Sequence, residues 1–411
     1  MGKNHTKVHE RDTMTLQGQE VLDLYRKIMK SFEAWRSSEY RKPLVLQGAR
    51  QVGKTFSLLA FGRESYENVA YFNFESNPKI GATFDENIHP EYLIPILSRI
   101  CGQSIIKEKT LVIFDEVQLC ERALTSLKYF CEEAPDYHVV AAGSLLGLAV
   151  NRDRYSFPVG KVDMITMYPL DMEEFMLALG EEELVMRIRD CFLKDQPMPA
   201  ALHDIALTLW RQYLVVGGMP EAVLHFAETK DFLLIRNIQE TILIGYLNDM
   251  SKYNNENEDK KTRLVYDSIS VQLSKKNTRF QYKIVKKGGR AAEFENAIEW
   301  LRLSGIASQV FRVEQIKKPL ENYRDINSFK IYYSDLGLLA AKKQLIAEDI
   351  LYMTEELNDF KGGLCENYVQ IQLAIRGYST YYWKSDREAE VDFVIQREGK
   401  LIPVEVKSSE N

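Results

Sequence analysis

The chain has 411 residues, of which 45% are hydrophobic and 27% charged, and these values exclude a disordered or low-complexity protein. At roughly 150 residues per domain, the length predicts two or three domains. The net charge of -6 excludes a surface that is basic throughout, so any nucleic-acid site must be local. The five cysteines lack paired spacing, and no signal-peptide core or membrane-length apolar run occurs, so we expect a cytoplasmic protein without membrane contact.

Apolar residues recur at helical spacing from Gln17 to Arg36, which predicts an amphipathic helix in an N-terminal segment, residues 1–37. Four short apolar runs, separated by helical patterns, come next. Such runs are typical of a parallel sheet that helices cover on both faces, so residues 38–170 are predicted to form an α/β core. The four predicted strands are PLVLQG (43–48), NVAYFNFES (68–76), TLVIFDE (110–116) and YHVVAAGS (137–144).

The strand signals fade beyond the α/β core. Residues 171–253 have the apolar spacing of helices, with a turn at Gly217, Gly218 and Pro220, and predict a helical lid. The polar run at 251–261 has no apolar periodicity and predicts a linker. We therefore expect a domain boundary in that run.

The remaining residues predict two smaller modules. Residues 262–320 give the order helix, short helix, helix, strand, which is typical of a winged helix-turn-helix. Residues 325–411 combine a strand, a helix and three further strand-like pieces, which predicts an α+β module.

A glycine-rich loop lies between the first predicted strand and a helical run. It satisfies G-x-x-x-x-G-K-T, and the predicted strand and helix around it oppose a chance glycine loop. In such a loop, backbone N–H groups surround the β-phosphate, Lys54 bridges the β- and γ-phosphates, and the Thr55 hydroxyl is a Mg²⁺ ligand. The pattern predicts a P-loop NTPase that binds ATP and Mg²⁺. The predicted nucleotide-binding residues are Gly48, Ala49, Arg50, Gln51, Val52, Gly53, Lys54, Thr55 and Phe56.

Two carboxylates follow the apolar strand LVIF. The carboxyl ends of strands are where α/β sheets bind ligands. Asp115 is predicted to hold Mg²⁺ through its water shell, and Glu116 to accept a proton from the attacking water. The alternative is a buried strand capped by an exposed acidic pair.

Ser144 ends the fourth predicted strand, where its hydroxyl could contact the γ-phosphate or the catalytic water. The alternative role is the N-cap of a following helix. Asn73 ends the second strand and is a weaker candidate. No arginine is assigned as the charge-neutralising finger, although Arg50, Arg152 and Arg154 lie in or near the loop and the fourth strand. A finger supplied by a neighbouring subunit would require a homo-oligomer.

The C terminus predicts a β-hairpin whose two loop residues are Glu398 and Gly399. This loop places Arg397 opposite Lys400 and sets the register of the remaining pairs. Side chains two residues apart along a strand share one face of the sheet. On that face the predicted pairs are Asp392 with Glu405 and Glu390 with Lys407.

Opposed carboxylates repel each other unless a cation lies between them. A divalent metal would bring Asp392 and Glu405 together, with Glu366 on the preceding helix as a further oxygen ligand. Lys407 would then stabilise the charge on a phosphodiester undergoing cleavage. The alternative is an exposed hairpin in which Lys407 pairs with Glu390.

Seven cations occur without an acid between Asp267 and Glu293. Clustered cations with interleaved aromatic residues are typical of contact with the DNA backbone. The alternative is a solvated basic face that docks against an acidic part of the same chain. The residues of this basic stretch are Lys275, Lys276, Arg279, Lys283, Lys286, Lys287 and Arg290.

The motifs GARQVGKT, LVIFDEVQ, AAGSLLGL, YPLDMEEF, VVGGMPEAV, YYSDLGLL and CENYV…EVDFVI…VEVKSS occur in this order along the chain. In this combination the chain resembles the prokaryotic AAA-type ATPases that carry a C-terminal domain of unknown function similar to a restriction endonuclease. The resemblance implies an AAA-like parallel sheet with a helical lid, ATP binding and Mg²⁺-dependent hydrolysis. The matching positions are Lys54, Thr55, Asp115 and Glu116 for the nucleotide, and Glu366, Asp392, Glu405 and Lys407 for the endonuclease-like domain.

Two features depart from that family. Gly160-Lys161 stands where such chains often carry Gly-Arg, and the sequence ends at Asn411, before the further helix and strand of an endonuclease-like core. The second feature predicts a truncated or inert domain. Two functions stay open: an ATPase coupled to a module that acts on DNA, and a nucleotide-gated switch or interaction protein with a nuclease-like scaffold.

Overall fold

The computed structural model describes residues 13–16, 19–22, 24–144, 158–253, 255–274, 279–385 and 389–408. Strands β1 (Thr13–Leu16) and β2 (Gln19–Leu22) pair antiparallel, and helix α1 spans Ile28–Arg36. The helix predicted from Gln17 is therefore wrong at Gln19–Leu22, and the observed helix begins at Ile28. Both strands contain β-branched residues, whose stiff side chains favour an extended backbone over a helix.

Five parallel strands form the first sheet, in the order β4-β5-β6-β3-β7. The four strands predicted from apolar runs are confirmed. The fifth, β7, was not predicted, because it is a partly exposed edge strand and lacks the continuous apolar run of a buried one. The strands are β3 (Leu44–Gly48), β4 (Asn68–Asn73), β5 (Thr110–Asp115), β6 (His138–Ser144) and β7 (Asp163–Met167).

Helices cover both faces of this sheet. Alternate residues of β5 belong to different hydrophobic clusters: Leu111 and Ile113 face one side, and Val112 and Phe114 face the other. This double burial explains why the strand is apolar throughout. The helices that follow α1 here are α2 (Lys54–Ser65), α3 (Ile80–Glu86), α4 (Pro90–Cys101) and α5 (Glu121–Glu133), with a 3₁₀ turn at Val117–Leu119.

The segment predicted as a helical lid consists of five helices. Asp171 caps the first of them: its side chain accepts the Glu174 N–H while the Glu174 side chain accepts the Asp171 N–H. The predicted turn is confirmed, because Gly217 and Gly218 separate two of the helices and Pro220 begins the next. These helices are α6 (Met172–Ala178), α7 (Glu182–Leu193), α8 (Ala200–Val216), α9 (Pro220–Thr229) and α10 (Phe232–Tyr253).

The linker predicted at 251–261 is wrong, because helices occupy most of it. Helix α10 continues to Tyr253, and α11 spans Glu256–Leu273. The Asn255 side chain caps α11 by accepting the N–H groups of Asn257 (3.2 Å) and Glu258 (3.0 Å). Charged residues spaced four apart then pair along the exposed face, so the helix forms without apolar periodicity at its start.

Asn255→Ala is expected to lower the free energy of unfolding by about 1 kcal/mol, because two backbone N–H groups lose their acceptor. Asn255→Asp retains an acceptor and should leave stability nearly unchanged. Urea denaturation followed by circular dichroism measures both effects. Asn257→Ala is the matched control, since this side chain is exposed in the first turn and its loss should not destabilise the helix. Equal losses at both positions would contradict the capping role.

The second sheet is mixed and has the order β12-β11-β10-β8-β9. It combines strands from both smaller predicted modules, since β8 lies between β9 and β10. The strands are β8 (Ala307–Val313), β9 (Arg324–Tyr333), β10 (Tyr381–Lys384), β11 (Glu390–Arg397) and β12 (Lys400–Val404). The helices are α12 (Tyr282–Val285), α13 (Ala291–Leu303), α14 (Leu336–Lys342), α15 (Ala347–Tyr352) and α16 (Asn358–Ile375), with 3₁₀ turns at Leu320–Tyr323 and Glu355–Leu357.

One hydrophobic cluster extends from Leu170 to Phe393 and includes residues of α6 to α11, α13, α14 and the second sheet. The helical segment therefore packs directly onto the C-terminal part of the chain. The element order α11, α12, α13, β8 agrees with the order expected of a winged helix, and that assignment stays a prediction. No helix in the described ranges combines the length and apolar character needed to cross a membrane.

The register predicted for the C-terminal hairpin is confirmed from the loop to Phe393, and the ladder ends before the predicted pairs of Asp392 with Glu405 and of Glu390 with Lys407. Arg397 pairs with Lys400, and the ladder continues to Phe393 opposite Val404. Glu398 and Gly399 both have positive φ, 48° and 74°, as a two-residue hairpin loop of this kind requires.

Candidate nucleotide-binding site

The glycine-rich loop runs from the end of β3 to the start of α2, as predicted. A methyl group at Gly48 would lie 2.4 Å from the Met167 carbonyl oxygen on β7, so only glycine fits. Gly53 has a φ of +91° and precedes Lys54, the first residue of α2. The loop therefore ends at a helix N-terminus, where backbone N–H groups and the helix dipole favour an anion.

The Lys54 side chain folds back onto the glycine-rich loop. Its ammonium donates to the carbonyl oxygens of Gly48 (3.0 Å) and Ala49 (2.8 Å). Burial lowers the pKa of Lys54 to about 8, against the opposing effect of the nearby Glu116 and Asp115 carboxylates. An ammonium in this position can reach a phosphate held by the loop amides.

Asp115 and Thr55 meet at the carboxyl edge of the sheet. The Thr55 hydroxyl donates to Asp115 Oδ2 at 2.8 Å, and the Tyr71 hydroxyl donates to the same oxygen at 2.8 Å. Asn73 lies opposite Asp115 in the β4–β5 ladder, and its amide donates to Tyr71 at 3.1 Å. A hydroxyl and a carboxylate are hard oxygen donors, and Mg²⁺ commonly takes one or two such protein ligands beside phosphate and water. Thr55 and Asp115 therefore fit a Mg²⁺ ion.

Glu116 follows in a left-handed backbone conformation, with a φ of 52°. Such a conformation is uncommon for residues other than glycine and occurs often at functional sites. Its N–H donates to Asp115 Oδ1 at 3.0 Å, and its carboxylate accepts a hydrogen bond from the Gln118 side chain. The half-buried carboxylate is thus oriented by its neighbours. The sequence analysis assigned no role to Gln118, although it ends the motif LVIFDEVQ, or to Tyr71, which belongs to none of the quoted motifs.

Ser144 ends β6, directly opposite Gly48 in the ladder with β3. It lines a small pocket with Arg50 and Trp300. Arg50 forms an ion pair at 2.8 Å with Asp249 of α10, which links the loop to the helical segment. The sequence contained no signal for this pair.

Residues 145–157 lie outside the described part of the chain. The N-cap alternative for Ser144 depends on these residues, and so do Arg152 and Arg154. Lys161, at the position where the family often has arginine, forms an exposed ion pair with Glu132 at 2.8 Å.

Arg26 binds the backbone of the glycine-rich loop. The sequence analysis did not single it out. Its guanidinium is buried and donates to the carbonyl oxygens of Val52 (2.9 Å) and Tyr168 (2.7 Å) and to the Glu174 carboxylate (3.3 Å). These partners lie in the loop, after β7 and in α6, so one side chain ties three elements together. No local pattern signals a contact across this sequence distance.

Residues 40–176 match the family model described as an AAA domain. The chain therefore contains an AAA domain of the P-loop ATPase type. The domain match includes the glycine-rich loop, both carboxylates and Ser144. Residues 207–349 match a domain of unknown function (DUF8612), and residues 361–411 match another domain of unknown function (DUF4143). No curated protein matches the chain significantly.

Several solved structures are similar at low identity. They include the Orc1 protein of Aeropyrum pernix in complex with DNA, at 12% identity over 78% of this chain and 91% of that chain, with a TM-score of 0.29. AMPPCP-bound DnaA from Aquifex aeolicus is 13% identical over 67% and 86%, with a TM-score of 0.28. The Thermotoga maritima RuvB Holliday junction branch migration motor is 12% identical over 69% and 89%, with a TM-score of 0.29. Because these TM-scores are low, the AAA domain is assigned from the family match and the loop geometry.

Outside the AAA domain, the structure places a lysine where the sequence predicted a metal. The Lys330 ammonium on β9 is 1% exposed and lies 2.8 Å from Glu390, 3.5 Å from Glu366 and 3.9 Å from Asp392. Burial by itself lowers the pKa of Lys330, but these carboxylates outweigh it and the pKa is raised. Glu366 also accepts the Tyr332 hydroxyl at 3.0 Å.

Glu405 and Lys407 are not among the ion-pair partners of Lys330. They pair with each other at the surface, so the alternative in which Lys407 pairs with Glu390 is wrong. Strand β12 ends at Val404, and Asp392 accepts the Val406 N–H at 2.8 Å where an opposed carboxylate was predicted. Within the described ranges, no group of three or more His, Cys, Asp or Glu side chains is placed to hold a metal ion.

The basic stretch is partly described, since Lys275 and Lys276 lie outside the described residues. All five of its described cations are exposed, and one of them, Lys286, pairs with Glu293 at 2.9 Å. Phe280 is buried against Phe329 and is not available to stack on a base. The other exposed cations are Arg279, Lys283, Lys287 and Arg290.

Proposed function

We propose that this chain binds ATP with Mg²⁺ at its AAA domain and hydrolyses it to ADP and phosphate. The observation that supports this best is the 2.8 Å hydrogen bond between Thr55 and Asp115, because it joins the loop hydroxyl and the strand carboxylate that a nucleotide-bound Mg²⁺ needs. Glu116 at the same edge supplies a carboxylate beyond those needed for binding alone. The presence of Glu116 favours a site that hydrolyses ATP over one that only binds it.

Each residue has a distinct task in this proposal. The loop amides and the N-terminus of α2 bind the phosphates, and Lys54 neutralises charge on them. Glu116 orients a water molecule and takes its proton, while Ser144 contacts the terminal phosphate or that water. Thr55 and Asp115 would hold Mg²⁺, which polarises the phosphate oxygens when bound.

Lys54→Ala tests nucleotide binding directly. The substitution removes the ammonium that reaches the phosphates, so we expect ATP affinity to fall by at least about tenfold and phosphate release to disappear. Calorimetry with ATP and Mg²⁺ measures the affinity. Lys109→Ala, an exposed lysine of the same domain paired with Glu67, should bind like the parent. A parent protein that gives no binding heat with ATP or ADP would overturn the proposal.

A second candidate function is coupling of the ATPase to DNA. The exposed cations Lys283, Lys287 and Arg290 around the short helix α12 favour it, because clustered cations attract phosphate backbones. The measurement is steady-state phosphate release with and without duplex DNA at two salt concentrations. Stimulation that is lost at high salt and in Lys283→Glu/Lys287→Glu would support DNA contact. A rate that DNA leaves unchanged would exclude it.

The buried Lys330 cluster favours the alternative in which the C-terminal module is a scaffold. The Lys330 ammonium already lies between Glu366, Glu390 and Asp392, so a metal ion would have to displace it. The test is nicking of plasmid DNA with Mn²⁺. No nicking is expected from the full chain, and nicking that Asp392→Ala abolishes would overturn the scaffold assignment.

A further inference from the structure

Three sequence motifs have no role in the proposed chemistry. They meet at one buried contact, which we call the joint. The joint consists of Leu170 from YPLDMEEF, the Gly217-Gly218 turn from VVGGMPEAV, and Asp335 from YYSDLGLL. Asp335 is 2% exposed. Its Oδ2 accepts the Gly218 N–H at 2.6 Å, and its Oδ1 accepts the Leu338 N–H at 2.9 Å as the N-cap of α14.

The backbone segments of this joint are too close for side chains. A methyl group at Gly217 would lie 2.3 Å from Asp335 Oδ1, and one at Gly218 would lie 2.0 Å from the Leu170 carbonyl oxygen. A methyl group at Gly337 would lie 2.2 Å from the Val216 carbonyl oxygen. The Leu170 N–H also donates to the Gly218 carbonyl at 2.7 Å. The turn is therefore held from both sides, by the AAA domain and by α14.

The same turn also lies beside the glycine-rich loop. Pro220 follows it, and Pro220 Cγ lies 3.6 Å from the position of a methyl group on Gly53. Met167 and Arg26 lie at the same distance from that position, and Arg26 also binds the Val52 carbonyl. A shift of the turn would therefore move Pro220 against the residue that precedes Lys54.

We propose that Asp335 is a positioning residue for the nucleotide site: it holds the Gly217–Pro220 turn against the glycine-rich loop and so couples the C-terminal part of the chain to that loop. This inference rests on the proposed function for its effect on ATP. A buried carboxylate is costly unless its oxygens are hydrogen-bonded, and here backbone N–H groups of two separate segments satisfy them. Burial raises the pKa of Asp335 to about 6 all the same.

The experiment compares Asp335→Ala and Asp335→Asn with the parent in steady-state phosphate release. Asp335→Ala frees the turn, so we expect KM for ATP to rise about tenfold with kcat changed less than about threefold, because the reacting groups are all present. Asp335→Asn keeps one acceptor oxygen and should recover part of the affinity. If Asp335→Ala fails to fold, the test uses Asp335→Asn, for which we expect a smaller rise in KM in the same direction.

Asn367→Ala is the matched control. Asn367 is fully buried and bonds the Tyr333 backbone at 2.8 and 2.9 Å, two residues before Asp335, so its loss should destabilise the fold while the Asp335 hydrogen bonds keep both of their partners. Equal KM values for parent and Asp335 variants, or an equal rise in Asn367→Ala, would overturn the proposal. Hydrogen exchange of the amides at residues 49–55, without nucleotide, gives a reading that does not depend on ATP. Faster exchange in the Asp335 variants alone would support the joint even if the parent bound no ATP, which would refute only the proposed function.

Discussion

Glu116→Gln is expected to lower the rate of phosphate release by about 10²–10⁴-fold while ATP affinity stays within about twofold of the parent. The amide keeps the size of the side chain and its hydrogen bond with Gln118, but it cannot take a proton from water. Single-turnover phosphate release and calorimetry with Mg²⁺ and ATP measure the two quantities separately. A large loss of rate with normal affinity is the pattern of a group needed only in the transition state.

Glu108→Gln is the control for that experiment, because Glu108 is an exposed carboxylate in the turn before β5 of the same domain. Its rate should match the parent. If Glu116→Gln hydrolyses ATP at the parental rate, Glu116 is not the base. If it fails to bind ATP as well, its role is in holding the nucleotide and its Mg²⁺.

Lys330→Met is expected to lower the free energy of unfolding by about 3–5 kcal/mol, because it leaves the mostly buried Glu366 and Asp392 without their cation and Glu390 with Lys384 alone. Methionine has a similar shape, so the loss reports the charge more than the packing. Urea denaturation of the full chain measures it. Combining Lys330→Met with Glu366→Gln should recover part of the loss, since one fewer negative charge then remains unpaired.

Lys407→Met is the matched control, since Lys407 pairs with Glu405 in exposed positions and its loss should leave stability unchanged within error. Equal effects of the two substitutions would show that Lys330 contributes no more to the free energy of unfolding than an exposed lysine does. Recovery of stability in Lys330→Met on addition of Mn²⁺ would show that the three carboxylates can bind a metal once the ammonium is gone.

Several features of the fold followed from short stretches of sequence. The glycine-rich loop was found because Gly48, Gly53 and Lys54 stand at fixed spacing between a strand and a helix. The hairpin register followed from two loop residues, Glu398 and Gly399, whose positive φ values match the turn. In each case the residues that decide the conformation are neighbours in the chain.

Other predictions failed where distant contacts or hidden caps outweighed local composition. The run at 251–261 is polar, yet Asn255 and charge pairs spaced four residues apart make most of it helical. Strand β7 lacks a long apolar run because it lies at the sheet edge. The predicted metal site contains Lys330, which comes from a strand outside the hairpin. No local sequence pattern indicates that this lysine reaches the site.

The sequence by itself determined the phosphate-binding loop, the paired carboxylates, the buried parallel strands and the C-terminal turn, because each depends on side-chain chemistry at short spacing. Tertiary structure alone decided which distant groups meet. Asp335 reaches Gly218 across 117 positions, and Arg26 reaches Glu174 across 148. Such pairs form because a buried polar group without a partner is costly, and the partner is selected by how whole elements pack.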